Sequence, residues 1–259
     1  DEAKSEFVSI ASHQLRTPLT AIKGYISMIL EGSYGKLDET QHKPMQSVYE
    51  SNERLIRLVN DLLNISRIES GRLKLEMQSI DMIALADDVK EEILPRANEL
   101  GVTITIEPTE NLPSVLADPD KVKEVLLNLI GNSLKFTSKG GLITVGFGLK
   151  DGLVETYVKD TGVGIAADDL PKLFQKFDLI PSAYMNNQAA LGTGLGLYIC
   201  RSIIELQGGK ISAASDGQGK GAIFTFFLKV YNEQNFEEFN KNYKVASENL
   251  VGIIHTEVS

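Results

Sequence analysis

The sequence predicts an α+β chain in two parts, a helical hairpin followed by an α/β sandwich. Three observations carry that expectation. Apolar residues recur at helical spacing through roughly the first 70 residues. A glycine-bounded break, Gly32-Ser33-Tyr34-Gly35, divides that stretch in two. From residue 76 onward, alternating strand patterns are interleaved with shorter helices, as in a layered sheet domain.

The first 32 residues read as one long helix. Phe7, Ile10, Ala11, Leu15, Leu19, Ile22 and Ile26 fall at the spacing of a single buried face. Pro18 lies inside it, and a proline there removes a backbone donor and crowds the preceding turn, so a kink is expected. Gly32 and Gly35 suit left-handed caps. Asp38 or Thr40 starts a second helix, with Glu39 and Gln41 in its first turn. Its stripe runs through Val48, Leu55, Leu58, Val59, Leu62, Ile65 and Ile68 and stops before Gly71. Two such helices have too little core to stand alone. Pairing two hairpins into a dimeric four-helix bundle through residues 1–70 satisfies both stripes. Packing on the downstream part alone is the alternative.

In the second part, Met82–Leu100 reads as helix with Pro95 disturbing it, and Val102–Ile106 alternates as a strand. Asp118-Pro119-Asp120-Lys121 opens a helix carrying Val122, Val125, Leu126, Leu129 and Ile130. Strands follow at Leu142–Leu149 and Leu153–Lys159, joined by a tight Asp151-Gly152 turn. A helix over Leu195–Leu206 and strands at Lys210–Ala214 and Ala222–Val230 complete it. Antiparallel hairpins with helices on one face are expected. The partition is therefore 1–75 hairpin, 76–230 sandwich and 231–259 tail, where Phe236, Phe239 and Tyr243 have the spacing of a short amphipathic helix.

Composition excludes several functions. A formal charge of −9 and no basic block argue against a nucleic-acid surface. A single Cys200 rules out an internal disulfide and fits a reducing cytoplasm. No apolar run approaches the ~20 residues needed to span a bilayer, and no signal peptide is legible.

Four clusters carry candidate chemistry. His13 sits at the edge of the first helix's apolar face, with Gln14 beside it and Thr17 one turn further on the same side. Near neutral pH an imidazole offers a nucleophilic nitrogen. It also serves often as a structural residue at a core border. Metal ligation is disfavoured, because neither His42 nor His255 pairs with His13 at ligand spacing. Asn128 and Asn132 stand four apart on one helix, followed by Lys135 and Phe136; alone, such amides are as consistent with solvated surface. Asp160-Thr161-Gly162-Val163-Gly164 follows a strand and is compatible with a plain turn. Gly192-Thr193-Gly194-Leu195-Gly196 runs into a helix, where free backbone N–H groups meet phosphate well. It is neither a P-loop nor a dinucleotide fingerprint. Phe174 and Phe177 read as core. Residues 178–191 read as a polar loop of active-site-lid length.

Taken together and in order, these clusters resemble the boxes of sensor histidine kinases of two-component signalling. Ser12-His13-Gln14-Leu15-Arg16-Thr17-Pro18 is similar to the H box, Asn128–Thr137 to the N box and Asp160–Gly164 to the G1 box. Phe174–Phe177 is similar to the F box and Gly192–Leu197 to the G2 box. The resemblance covers roughly residues 4–230 and implies an ATP-binding sandwich of the histidine kinase and chaperone ATPase type. It implies that His13 is phosphorylated from ATP and hands its phosphate to an Asp of a response-regulator receiver domain. Thr17 and Gln14 would aim water at that aspartyl phosphate, and Asn128 would support the phosphates or the reaction. Asn132 would ligate Mg²⁺ through its hard amide oxygen. Lys135, Phe136, Gly192, Thr193, Gly194, Leu195 and Gly196 would line the nucleotide, and Asp160 would accept from the exocyclic amine of adenine while Gly162 and Gly164 admit the ring. Membrane contact would come only through a sensor ahead of Asp1, if any; a cytoplasmic catalytic core cut from a longer chain is the expectation, with a small soluble member as the alternative.

Two positions depart from the family pattern. Gln14 stands where the usual acid follows the reactive His, and an amide cannot act as general base. Slower autophosphorylation is therefore expected, and a kinase acting mainly as a phosphatase or a dimeric ATP-binding scaffold is the alternative. Ala222 follows Gly221 where the family commonly has Ser or Thr supporting the adenine-binding Asp, so reduced nucleotide affinity is expected.

Overall fold

A computed structural model describes residues 2–177 and 193–241 of the chain. It divides into two compact units, Asp1–Leu73 and Lys74–Ser259.

The first unit is the helical hairpin. Helix α1 spans Glu2–Leu30 and continues through Pro18 without interruption. It ends as expected at Gly32 (φ +82°), with Ser33 N–H returning to the Met28 carbonyl at 2.9 Å. Helix α2 spans Glu39–Glu69, and its N-cap is Asp38 rather than Thr40. The Asp38 carboxylate accepts from the backbone of Thr40 and Gln41, while the Gln41 side chain reaches back to the Asp38 N–H, forming a capping box. The Thr40 hydroxyl, which donates to the same carboxylate at 2.6 Å, and then the backbone donors hold the Asp38 carboxyl below the ordinary carboxylate value.

Both helices present apolar side chains toward each other and away. Ile26, Val59, Leu63 and Ile65 are buried, and so are three polar residues, Ser12, Asn52 and Ser66. Asn52 donates to the Leu19 carbonyl at 2.9 Å, and Arg16 donates to the Asn60 amide oxygen at 2.7 Å. Ile10, Leu15 and Ile22 of the expected buried face are instead exposed, as are Val48 and Leu55 of α2. One antiparallel partner covers only part of a stripe this wide.

The second unit is a sandwich of helices on a mixed sheet. Helix α3 (Met82–Leu100) is capped by Asp81 and tolerates Pro95; α4 (Pro119–Phe136) is capped by Asp118 with proline at its first position, and α5 covers Gly196–Leu206. The five-stranded sheet has the order β2 (Thr103–Ile106), β4 (Leu142–Lys150), β5 (Leu153–Asp160), β7 (Ile223–Lys229), β6 (Lys210–Ala214). Every pairing is antiparallel except β2 with β4, which is parallel. The expectation of antiparallel hairpins throughout is thus corrected at that edge, because α4 intervenes and brings β4 back alongside β2 in the same direction. Two short strands absent from the sequence reading, β1 (Gln78–Ile80) and β3 (Val115–Ala117), form their own antiparallel pair. Asp151 and Gly152 both take positive φ, as the tight β4–β5 turn requires.

The inward rows of β4, β5 and β7, with Val145, Val158 and Phe224 in register, meet the apolar sides of α4 and α5. Asp118 and Gln207 are buried together. The Gln207 side-chain oxygen accepts from the Asp118 N–H at 2.7 Å, and the Asp118 carboxylate accepts from Glu76 N–H at 2.8 Å. After β7 a helix occupies 233–241, with Tyr231 and Phe236 rings 6.2 Å apart. Tyr243 lies outside the described residues.

Candidate functional site

Asp160 ends the inward row of β5 that begins Val154, Thr156, Val158. Strand alternation therefore drives its carboxylate into the interior, where it is 4% exposed. Three neutral donors meet it: Gly162 N–H at 2.9 Å and Ala222 N–H at 3.2 Å on Oδ1, and the Ser133 hydroxyl at 3.1 Å on Oδ2. Burial pushes its carboxyl above the ordinary range, and the donors at Gly162, Ser133 and Ala222 pull against that rise.

Glycines shape the surroundings of that carboxylate. A Cβ on Gly162 would stand 2.5 Å from the Phe136 carbonyl oxygen, which accepts from Val163 N–H at 3.1 Å. Gly164 (φ +69°) passes so close to Gly217 that a Cβ would collide with its carbonyl. The loop over 215–221 is bonded to this turn through Gly219 N–H to the Val163 carbonyl (2.6 Å) and Gly221 N–H to the Gly162 carbonyl (3.1 Å). Ser215, which sequence reasoning passed over, pins the loop: its hydroxyl donates to the Gly221 carbonyl at 2.6 Å and accepts from Ile165 N–H at 3.0 Å.

Helix α4 carries Asn128, Asn132 and Lys135 on one face, with both amides half-buried. The Asn128 side-chain oxygen lies against Gly196, the first residue of α5. The structure thus brings together the amide pair, the Asp-Gly turn and the end of the glycine-rich segment. Lys135 is partly desolvated, which lowers its pKa, and its Nζ lies 5.1 Å from the Phe136 ring centroid. Among the described residues no side chain caps the N-terminus of α5, which leaves its first-turn N–H groups without that kind of acceptor. Thr193 Oγ1 accepts from Leu195 N–H at 3.3 Å, and Leu195 is fully buried. Gly194 takes φ +71°. Gly192 and the expected lid over 178–191 lie outside the described residues.

Phe174 is half-buried, but Phe177 is 62% exposed with φ +61°, so the core reading fails for Phe177. Residues 173–177 form turns rather than a helix, and the helical spacing that predicted a common face is lost.

In the first unit, His13, Gln14 and Thr17 are all exposed, with Thr17 one turn past His13 on α1. No hydrogen bond joins Gln14 to the imidazole among the described residues. Arg16 is engaged by the side-chain oxygen of Asn60.

Comparison with known proteins gives this arrangement its class. Residues 3–71 match the His Kinase A (phospho-acceptor) domain, and residues 117–232 match the Histidine kinase-, DNA gyrase B-, and HSP90-like ATPase family. The chain belongs to the sensor histidine kinases, of which these two modules form the catalytic core. A sensor-like histidine kinase of Rhizobium meliloti is 36% identical over 224 residues, 86% of this chain and 42% of that protein. The structure of full-length ShkA in complex with AMPPNP superposes with TM-score 0.71 at 31% identity, covering 88% of this chain and 46% of that one. Histidine kinase ThkA in complex with response regulator protein TrrA superposes with TM-score 0.61 at 26% identity, covering 87% and 61%. The chain spans between 27% and 42% of the length of the first curated relatives it matches. No helix among the described residues is long and apolar enough to cross a membrane.

Proposed function

We propose that this chain autophosphorylates His13 from ATP and passes the phosphoryl group to an Asp of a response-regulator receiver domain. The observation that carries the reading is the buried, neutral-donor-bound carboxylate of Asp160, tied through Ser133 to α4, whose Asn128 lies against Gly196 at the N-terminus of α5. A carboxylate there accepts the exocyclic amine of adenine and disfavours the carbonyl that guanine presents. First-turn N–H groups and the helix dipole suit the phosphates, and Lys135 adds a point charge. The relative solved with AMPPNP supports adenine nucleotide use.

The described residues hold no group of three or more His, Cys, Asp or Glu suited to a metal. The neutral amide oxygen of Asn132 fits a hard cation that arrives with the triphosphate, so Asn132 would hold Mg²⁺. Bound there, the ion would neutralise developing phosphate charge. Asn128, one turn away, would orient the phosphates. An exposed ring nitrogen of His13 forms the new N–P bond as the bond to the β-phosphate oxygen breaks and ADP leaves. The amide of Gln14 cannot take the ring proton, which therefore passes to solvent. Thr17, exposed one turn along, offers a hydroxyl to position water against a regulator's aspartyl phosphate. The partner would dock on the hairpin, as the relative bound to a response regulator suggests. Exposed Leu15, Ile22, Val48 and Leu55 support a homodimer through the hairpin.

Labelled ATP tests the reading. Acid-labile, alkali-stable label is expected on the wild type and absent from His13→Ala and Asn132→Ala. Nucleotide binding with no label on the wild type would favour the scaffold instead.

A further inference from the structure

We propose that Ser133, on the core side of α4, is the side-chain donor that positions Asp160 for a six-amino purine, a task for which position 222 offers no hydroxyl. The inference rests on the nucleotide reading of the site above.

Ser133 and Asp160 are 2% and 4% exposed, so their 3.1 Å contact is shielded from water. A serine this deep in a helix usually returns its proton to a carbonyl one turn back. Ser133 instead spends it on a carboxylate 27 residues further along the chain.

The acceptor geometry of Asp160 gives that bond its use. Oδ1 already receives two backbone N–H groups, from Gly162 and Ala222, and these are fixed by the G1 turn and the β7 approach. Oδ2 receives only the Ser133 hydroxyl among the described residues. A carboxylate oxygen carries two acceptor directions, so Oδ2 keeps one for a ligand. With its single proton given to Asp160, the Ser133 oxygen can itself only accept. The pair therefore presents acceptors alone: an amino group is satisfied and a carbonyl meets lone pairs.

Residue 222 stands directly across from Asp160. The β5–β7 register pairs Lys159 with Ile223, and the Asp160 N–H donates to the Ala222 carbonyl at 2.9 Å. Opposite residues on paired strands share a face. A hydroxyl at 222 would reach the same carboxylate, but Ala222 brings a methyl group there. The side-chain support of Asp160 has its source in α4 in this protein.

The groups acting on Asp160 are the neutral donors Gly162, Ser133 and Ala222. Removing one of them lets burial raise the carboxyl further.

The test is calorimetric titration of the full chain with AMPPNP and with its guanine counterpart, across pH. Ser133→Ala is expected to weaken AMPPNP binding by roughly tenfold and to narrow the preference over the guanine ligand. The pH below which binding fades is expected to move up. Ser133→Cys replaces the hydroxyl with a somewhat larger thiol that donates poorly, and is expected to behave as Ser133→Ala does. Adding Ala222→Ser to Ser133→Ala is expected to restore most of the lost affinity and the wild-type pH profile. Wild-type affinity and pH profile in Ser133→Ala or Ser133→Cys would overturn the proposal, as would failure of Ala222→Ser to restore either. Failure of the wild type itself to bind AMPPNP is a separate result and overturns the nucleotide reading first.

Discussion

The side-chain oxygen of Asn128 sits where a Cβ on Gly196 would come within 2.6 Å of it, so its present position depends on residue 196 having no side chain. Helix α4 supplies the amide and α5 the glycine that leaves room for it. Alanine at 196 is welcome to the helix itself, since it exceeds glycine in propensity by up to about 1 kcal/mol. Its methyl must displace the Asn128 carboxamide. Gly196→Ala is therefore expected to slow labelling of His13 by at least about tenfold with a melting temperature close to wild type. Asn128→Ala added to it should cost little more, because both changes remove the same placement. Two additive losses would show that the residues act separately.

Asp160 ties site chemistry to stability with a definite sign. Burial raises its carboxyl above the ordinary value near 3.8. Within the window above that value the native state binds more protons than the unfolded chain, so this group's contribution becomes less favourable as pH rises. Asp160→Asn removes the charge but keeps an oxygen for Gly162 and Ala222, and its amide can donate to Ser133. The variant is expected to melt above wild type at about pH 7.5, with the gap shrinking toward about pH 4.5. It should also lose AMPPNP binding, because the new amide presents a donor to the adenine amine. A variant that melts lower at both pH values would show that the three hydrogen bonds outweigh the desolvation.

The legible parts of the sequence are those set by local rules. Asp38 with Gln41, Gly32 and the Asp151-Gly152 turn each specify backbone geometry within a few residues. The period-two pattern of β5 accounts for the burial of Asp160 once the strand is seen to run through it, although the sequence alone ended the strand at Lys159 and left Asp160 compatible with a plain turn. Contacts between distant segments are less legible. Nothing local in β2 indicates that it pairs parallel to β4, nor that β1 and β3 pair with each other, since those outcomes depend on the path of the chain between them. Ser133 left a faint signal, a hydroxyl four residues past Leu129 on the apolar side of α4. Ser215 left none, being one polar residue among the loop's glycines. Phe177 misled because its helical spacing from Phe174 required a helix that does not form there.

Asn52 is expected to matter more to the hairpin than the ion pair beside it. Its amide is 4% exposed and bonds the Leu19 carbonyl at 2.9 Å, which fixes the register of α2 on α1. Lys23 and Glu53 lie 2.9 Å apart with side chains 42% and 27% exposed, where water screens the pair. Asn52→Ala should cost about 1–3 kcal/mol, whereas Lys23→Ala should cost less than about 1 kcal/mol. Urea unfolding of both variants at one fixed protein concentration checks the ranking. Equal midpoints would show that the buried amide contributes no more than the exposed pair.

The exposed apolar residues of the hairpin have a spacing that identifies their use. Leu15 and Ile22 are seven apart on α1, and Val48 and Leu55 are seven apart on α2; all four are at least 44% exposed. A seven-residue repeat keeps side chains along one seam of a helix, the pattern that pairs helices side by side. An acid in that seam would have to be buried unpaired at each of two symmetric places in a twofold dimer. Leu55→Glu is therefore expected to halve the mass measured by light scattering at micromolar concentration. The same change on a surface site of the second unit, Leu149→Glu, should leave the mass alone, because Leu149 is exposed at the β4–β5 hairpin. A Leu55→Glu protein that keeps the wild-type mass would remove this seam from the interface.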